Sequence, residues 1–403
     1  MTQASCDSRE ILARLVAMDT VSSRSNLDLV HWVADYLGAQ GVEVVLDHDA
    51  GRTKANLFAS LGPRDAAGVC LHGHTDVVPV EGQTWTSDPF TLTERAGLLH
   101  GRGTCDMKAW IACALAAVPA WSRQRLRTPL HIALSYDEEV GCLGAPGLIQ
   151  LFGRSVPRPA LALIGEPSLL APVSAHKGVV ALSTRVTGHA VHSSLIHKGA
   201  NAATAAAVMA AEIHRIARQW CHRPGPAGMQ PGGPTMNVGV LRAGAARNMV
   251  ADHAALDWDL RYRASDDPDE LQREVHSAVD AALRQALGAA HERIRLETVD
   301  VARVPAFQAR QDSRALALLR SLGVQAADSG VAYGAEAGQY AQAGIDTVIF
   351  GPGSIEQAHQ ADEFIAVDQL QACDAFMQRL GYWAQDHALV APARVAEPAG
   401  AAP

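Results

Sequence analysis

The sequence predicts an α/β fold: a helix-covered mixed sheet forming one domain, with a ferredoxin-like (βαββαβ) unit inserted into it. Three observations carry this. Helical and strand-like patterns alternate up to about residue 177, as βαβ units do. From about 178 the rhythm becomes β-α-β-β-α-β, the ferredoxin-like order. After about 295 the first rhythm resumes, so the middle segment interrupts one domain and does not follow it.

The elements run in order. The start, MTQASCDSREILARLVAMDT, reads as a capped amphipathic helix, with Asp7 or Ser8 as N-cap and Ile11, Leu12, Leu15 and Val16 on one face. A helix near 27–40 leads into VEVVLD, and NLFASLG precedes the strand GVCLHGH. MKAWIACALAAVPAW reads as a helix, LHIALSY and LALIGE as strands. The inserted part holds VVALSTRVTG, an Ala-rich helix near 199–218, the strands TMNVGVLRAG and ADHAALDWDLRY, a helix near 267–286, and RIRLETVD. The Pro/Gly segment RPGPAGMQPGGP is a loop within it. Helices near 312–322 and 336–343, the strand TVIFGPG and a helix near 367–386 follow. The expected bounds are 1–177 with 296–388 for the larger domain, 178–295 for the inserted unit, and a disordered Ala/Pro-rich tail at 389–403.

Composition narrows the function classes. With 403 residues, 48% of them hydrophobic and 19% charged, two domains of an ordinary globular protein are expected. A net charge of −8 without a basic block argues against nucleic acid, and no apolar run is long enough for a bilayer. Seven scattered cysteines without a CxxC pair fit a reducing compartment. The start lacks the pattern of a signal peptide, so a cytoplasmic location is expected.

Five metal-binding residue types stand just past strand-like runs: His74 in LHGHTD, Asp106 in GRGTCDMK, Glu139 in LSYDEEVG, Glu166 in LALIGEPS and His359 in GPGSIEQAHQADEF. Two histidines and three carboxylates suit a pair of divalent ions, and open α/β sheets collect their sites at strand carboxyl ends. Asp76 sits two residues from His74, where it can orient the ring or a neighbour; an incidental turn is the other reading. Asp106 can bridge two ions with its two oxygens, or simply sit at a helix N-terminus. Beside Glu139, Glu138 can take a proton from water and pass it to a departing amine; a solvated acidic loop is the alternative.

Two residues are candidates for holding substrate. Arg261 shares a strand face with Asp259, either to grip a carboxylate or to form an ion pair. Glu336, in YGAEAGQ, can bind a side-chain ammonium or serve as the acid at a helix start.

The runs GHTDVVP, GRGTCDMK, SYDEEVGCLG, GEPS, GHAVHSS and GPGSIEQAHQADEF resemble the motif set of the dinuclear-zinc aminoacylase/carboxypeptidase metallopeptidase family, over about residues 8–385. Within it, HKGVVALSTRVTGHAVHSS, RNMVADHAALDWDLRY and VAYGAEAGQYAQAGIDTVIFGPGSIEQAHQADEF are most similar to the acetylornithine-deacetylating branch. The resemblance implies one ion on His74 and Glu166, another on Glu139 and His359, and Asp106 between them. It further implies that the larger domain is catalytic with the inserted unit as its lid, that Asp76 orients His74, that Glu138 is the general base, and that His192 steadies the oxyanion, in cis or across a homodimer formed through that lid. Asn248 would lie near the substrate carbonyl or carboxylate. The implied ions are zinc, with cobalt suitable too. The implied reaction removes an acetyl group from an amino acid, with N-acetyl-L-ornithine, and so arginine biosynthesis, the expected case. Alternatives within the family are a succinyl-diaminopimelate desuccinylase, a glutamate carboxypeptidase and a broad aminoacylase; a non-catalytic metal-binding protein is the alternative outside it. Two departures are small: Cys105 precedes the bridging Asp106, and Ala109 follows Lys108 where glycine is common.

Overall fold

Strands that read as unbroken apolar runs must be buried on both faces, which is how parallel strands under helices lie. The computed structural model, which describes residues 7–325 and 329–389, has three such strands: β3 (Gly68–His74), β4 (Leu130–Ser135) and β5 (Pro159–Ile164), buried at every position. With β1 (Val44–His48), β2 (Ala55–Leu61) and β10 (Asp346–Ile349) they form a six-stranded sheet ordered β1-β2-β4-β3-β5-β10. The pairs β3–β4, β3–β5 and β5–β10 are parallel, while β1–β2 and β2–β4 are antiparallel, so the sheet is mixed.

Helices α1 (Ser8–Val16), α2 (Leu27–Ala39), α3 (Ala109–Trp121), α4 (Ala145–Leu151), α7 (Arg314–Ser321) and α9 (Val367–Asp386) belong with this sheet. Asp7 caps α1: its Oδ1 accepts from the Glu10 N–H at 2.8 Å, while Glu10 accepts from the Asp7 N–H. Ser8 lies inside the helix, and its hydroxyl donates to Asp374 at 2.6 Å. Helix α3 is apolar all round, and ten of its thirteen residues are buried, Trp110 against Phe350 and Phe376 among them. Of the expected tail, 390–403 falls outside the described residues, whereas Leu389 donates its N–H to Thr128 Oγ1 at 3.1 Å.

The second unit shows the opposite pattern. In β6 (Gly178–Thr187) and β8 (His253–Tyr262) buried residues alternate with more exposed ones, so only one face of this sheet is covered. Its antiparallel order is β7-β8-β6-β9, with β7 at Thr235–Ala243 and β9 at Arg295–Val304. Helices α5 (Ala202–Trp220) and α6 (Pro268–Leu287) cover that face. Val180, Leu182, Leu256, Trp258 and Leu260 meet Met209, Ile213, Val275, Val279 and Leu283 there. This is the ferredoxin-like β-α-β-β-α-β unit, and its insertion is visible in the chain path. The first unit runs to Pro172, resumes at Arg310 and again at Tyr340; the second takes Val173–Ala309 and a stretch ending at Gln339, within α8 (Ala337–Gln342). It is wider than the expected 178–295 because β9 stays paired with β6 as far as Val304. A short sheet of Ala175–His176, Phe307–Gln308 and Gly330–Val331 extends it further. Among the described residues, no helix is long and apolar enough to cross a membrane, and six cysteines are free thiols.

Candidate metal centre

Parallel strands ending side by side deliver the first ligands. Register sets His74, the last residue of β3, opposite Ser135, the last of β4, and His72 opposite Ile164, the last of β5. Glu138 and Glu139 follow β4 directly, and Glu166 stands two residues past β5. Asp106 lies in the loop that opens α3, and His359 in the loop after β10, with φ of 62°.

All five expected ligands converge. His74 Nε2 lies 3.0 Å from Asp106 Oδ1 and 3.9 Å from Glu166 Oε1. His359 Nε2 lies 3.3 Å from Asp106 Oδ2 and 3.0 Å from Glu139 Oε2. Asp106 thus turns one oxygen to each imidazole. The ligand atoms of His74, Asp106 and Glu139 all fall within 4.8 Å of one another, as do those of His74, Glu138 and Glu166. His74, Asp106 and Glu166 are buried, and His359 is half exposed.

The electrostatics of this cluster favour cations. Burial works to lower the His74 pKa, but Asp106, Glu166 and Glu138 outweigh it and hold the ring well above its ordinary value. Hydrogen bonds to Asp106 and Glu139 push His359 up to about 10. Burial works to raise Asp106, yet hydrogen bonds from His359 and His74 bring it well below the usual carboxylate range. Burial and the Asp106 charge push Glu139 up. The field that holds protons on two imidazoles also draws divalent ions, whose binding displaces those protons. Imidazole nitrogens and carboxylate oxygens in this number fit zinc-type coordination.

The role expected for Asp76 needs correction. His74 Nδ1 lies 2.8 Å from the main-chain oxygen of Asp76, while the carboxylate stands 3.7 Å away. The carboxylate instead accepts from the Glu138 N–H at 3.1 Å, the Glu139 N–H at 3.2 Å and the Ser22 hydroxyl at 2.7 Å. Asp76 therefore orients the ring through its backbone and the acidic loop through its side chain. Glu138 keeps its carboxylate near His74 and Glu166, and Cys142 Sγ donates to it at 3.3 Å.

His192 and the substrate candidates Asn248, Arg261 and Glu336 all lie in the second unit. His192 is exposed and caps the short helix Ser193–Lys198, its Nδ1 2.8 Å from Ser194 Oγ. Asn248 is its neighbour: the Ser193 N–H donates to the Asn248 carbonyl at 3.0 Å. Arg261 donates to the Ala332 carbonyl at 3.4 Å and has Asp259 at 3.9 Å, a loose pairing. Glu336 is fully buried, just before α8.

Some polar residues of the site's surroundings went unassigned by sequence: Ser22, Cys142, Arg102 and Glu363. The last two stand inside quoted motifs, GRG and ADEF, so an arginine between glycines and an acid four residues past His359 were the available signals.

Comparison with known proteins agrees with this geometry. Residues 70–382 match Peptidase family M20/M25/M40. The chain belongs to this family. It is 34% identical to an acetylornithine deacetylase of Myxococcus xanthus over 377 residues, covering 92% of this chain and 96% of that one. It is also 34% identical to an acetylornithine deacetylase of Proteus mirabilis, over 92% and 94% of the two chains. The fold is similar to that of an M20 family metallo-carboxypeptidase from Sulfolobus solfataricus, with a TM-score of 0.72 at 15% identity, covering 95% and 100%. The M20 chain is thus a metal-dependent amide hydrolase with a candidate multi-residue metal site.

Proposed function

We propose that the protein removes the acetyl group of N-acetyl-L-ornithine, releasing L-ornithine and acetate, with two zinc ions at its centre. The observation that carries the two-ion reading is Asp106, with Oδ1 at 3.0 Å from His74 and Oδ2 at 3.3 Å from His359. His74 and Glu166 would hold one ion, Glu139 and His359 the other, with Asp106 shared. Bound there, such ions supply Lewis acidity to the amide carbonyl and lower the pKa of water.

The chain's own groups supply the proton traffic and the positioning. Glu138 takes a proton from water at its carboxylate and gives it to the departing amine nitrogen. Asp76 fixes the loop on which Glu138 rides, through the two N–H bonds. His192 provides a donor for the carbonyl oxygen, with Asn248 beside it. Arg261 receives the substrate carboxylate and Glu336 the side-chain ammonium. The two deacetylase relatives support the acetyl-ornithine assignment. A place in arginine biosynthesis and a homodimer formed through the second unit belong to the same proposal.

The test is the initial rate of amine release by zinc-loaded protein on N-acetyl-L-ornithine, N-succinyl-diaminopimelate and N-acetyl-glutamate. A preference for acetylornithine that is lost on chelation supports the proposal. A preference for another of the three discards the substrate, and no metal-dependent turnover discards the reaction.

A further inference from the structure

We infer that the buried pair Arg102–Glu363 is a buckle joining two ligand loops, and that Glu363 is a positioning residue for Asp106 and His359. The inference rests on the metal-centre reading above. Both side chains are about 1% exposed, and Arg102 Nη1 donates to Glu363 Oε2 at 2.7 Å.

One carboxylate gathers the whole Asp106 loop. Glu363 Oε2 accepts from the Gly103 N–H at 3.0 Å, and Oε1 accepts from the Cys105 N–H at 2.8 Å and the Asp106 N–H at 3.1 Å. Glu363 therefore holds the residue that turns an oxygen to each imidazole by that residue's own backbone. The guanidinium carries the connection onward. Its Nη2 donates to Gln83 Oε1 at 2.5 Å, Nη1 reaches the Gln360 carbonyl at 3.3 Å, and it lies 5.0 Å from the Trp85 ring. Gln83 Nε2 then donates to the His359 carbonyl at 2.9 Å.

The path Asp106–Glu363–Arg102–Gln83–His359 closes on itself, because His359 and Glu363 share one short loop. The strand Phe364–Ala366 that follows pairs with Leu98–His100, which leads into Arg102. Neither loop can shift without breaking a buried charge-assisted bond.

Stability alone does not account for this arrangement. A buried ion pair contributes little net stability compared with apolar side chains of the same volume. Such side chains would leave the Gly103, Cys105 and Asp106 N–H groups without their acceptor. What a carboxylate adds is a fixed position for three backbone N–H groups of a ligand-bearing loop. Outer partners of metal ligands that work this way change affinity about 10–100-fold when removed.

The test uses the full chain stripped of metal, titrated with zinc against a chromophoric chelator, alongside its melting temperature. Wild type, Glu363→Gln, Gln83→Ala and the double variant are compared. Glu363→Gln is expected to weaken zinc binding by about 10–100-fold. Gln83→Ala, a change at a partly exposed residue, is expected to weaken it less, with the melting temperature unchanged. The double variant should lose less than the product of the two, since both act through one path. If Glu363→Gln does not fold, Gln83→Ala and Arg102→Lys carry the comparison, and weakened zinc binding by folded protein remains the expected result. Variants that melt lower but bind zinc like wild type would overturn the inference alone. Wild type that takes up no zinc would remove the metal-centre reading and this inference with it.

Discussion

Replacing Asp76 with asparagine separates the two jobs that this residue performs. Its carboxylate makes three bonds, two at Oδ2 (Glu139 N–H and Ser22 hydroxyl) and one at Oδ1 (Glu138 N–H). An amide keeps one acceptor oxygen, and the flip that saves two bonds leaves its NH2 facing the Glu138 N–H. A hydrogen bond to a charged acceptor is worth about 1.5–3 kcal/mol, a factor of roughly 10 to 150. That loss falls on the residue proposed to move the proton, so kcat should drop by about that factor with KM little changed. The main-chain oxygen that holds His74 is untouched by the substitution. Zinc affinity should therefore stay near that of wild type. Steady-state kinetics at saturating zinc, together with a chelator competition, measure both. A tenfold or larger loss of zinc affinity with kcat intact at saturating zinc would refute the reasoning and return Asp76's side chain to the service of His74.

Further outcomes follow from the same structure. Glu138→Ala should keep the fold and bound metal while lowering turnover by about 10²–10⁴-fold; an active variant with wild-type zinc content would exclude it as the base. Glu336→Gln should raise KM for cationic acyl-amino acids far more than for neutral ones, and equal changes would remove it from ammonium recognition. Burial depresses His131 to about 4 in the first unit and His176 to about 4 in the second. Unfolding frees both rings to bind protons near their ordinary 6.5, so stability is full above that value and falls as pH drops toward 4. At pH 5 the cost is about 2 kcal/mol for each ring. Urea midpoints at pH 7 and 5 should converge in His131→Gln relative to wild type, and an unchanged pH slope would contradict the assignment.

Much of the site was legible because burial and chemistry alternate sharply in the sequence. GVCLHGH, LHIALSY and LALIGE are mostly apolar, with polar groups at or just past their ends, so His74, Glu139 and Glu166 announce themselves near the ends of strands buried on both faces. The alternation in ADHAALDWDLRY likewise marks a strand with one covered face. Contacts made by the backbone were not legible. Nothing in His-Thr-Asp says that the carbonyl of Asp76, and not its carboxylate, meets the ring, because that depends on the turn. Arg102 and Glu363 stand far apart in the chain, and each reads as an ordinary surface charge until the loops meet. The far edge of the inserted unit was not legible for a related reason: β9 continues past RIRLETVD through residues whose pairing with β6 depends on a strand more than a hundred positions earlier.

The interrupted path of the first unit also sets a schedule for assembly. A ribosome adds residues at about 5–20 per second. His74, Asp106, Glu139 and Glu166 are all made before the inserted unit begins, whereas His359 and Glu363 come after it, nearly two hundred residues beyond Glu166. For roughly 10 to 40 seconds the growing chain holds four of the proposed ligands without the fifth or the carboxylate that secures the Asp106 loop. The segment made after the inserted unit is therefore the one that completes the proposed centre, and a chain cut short before it carries four of the five residues.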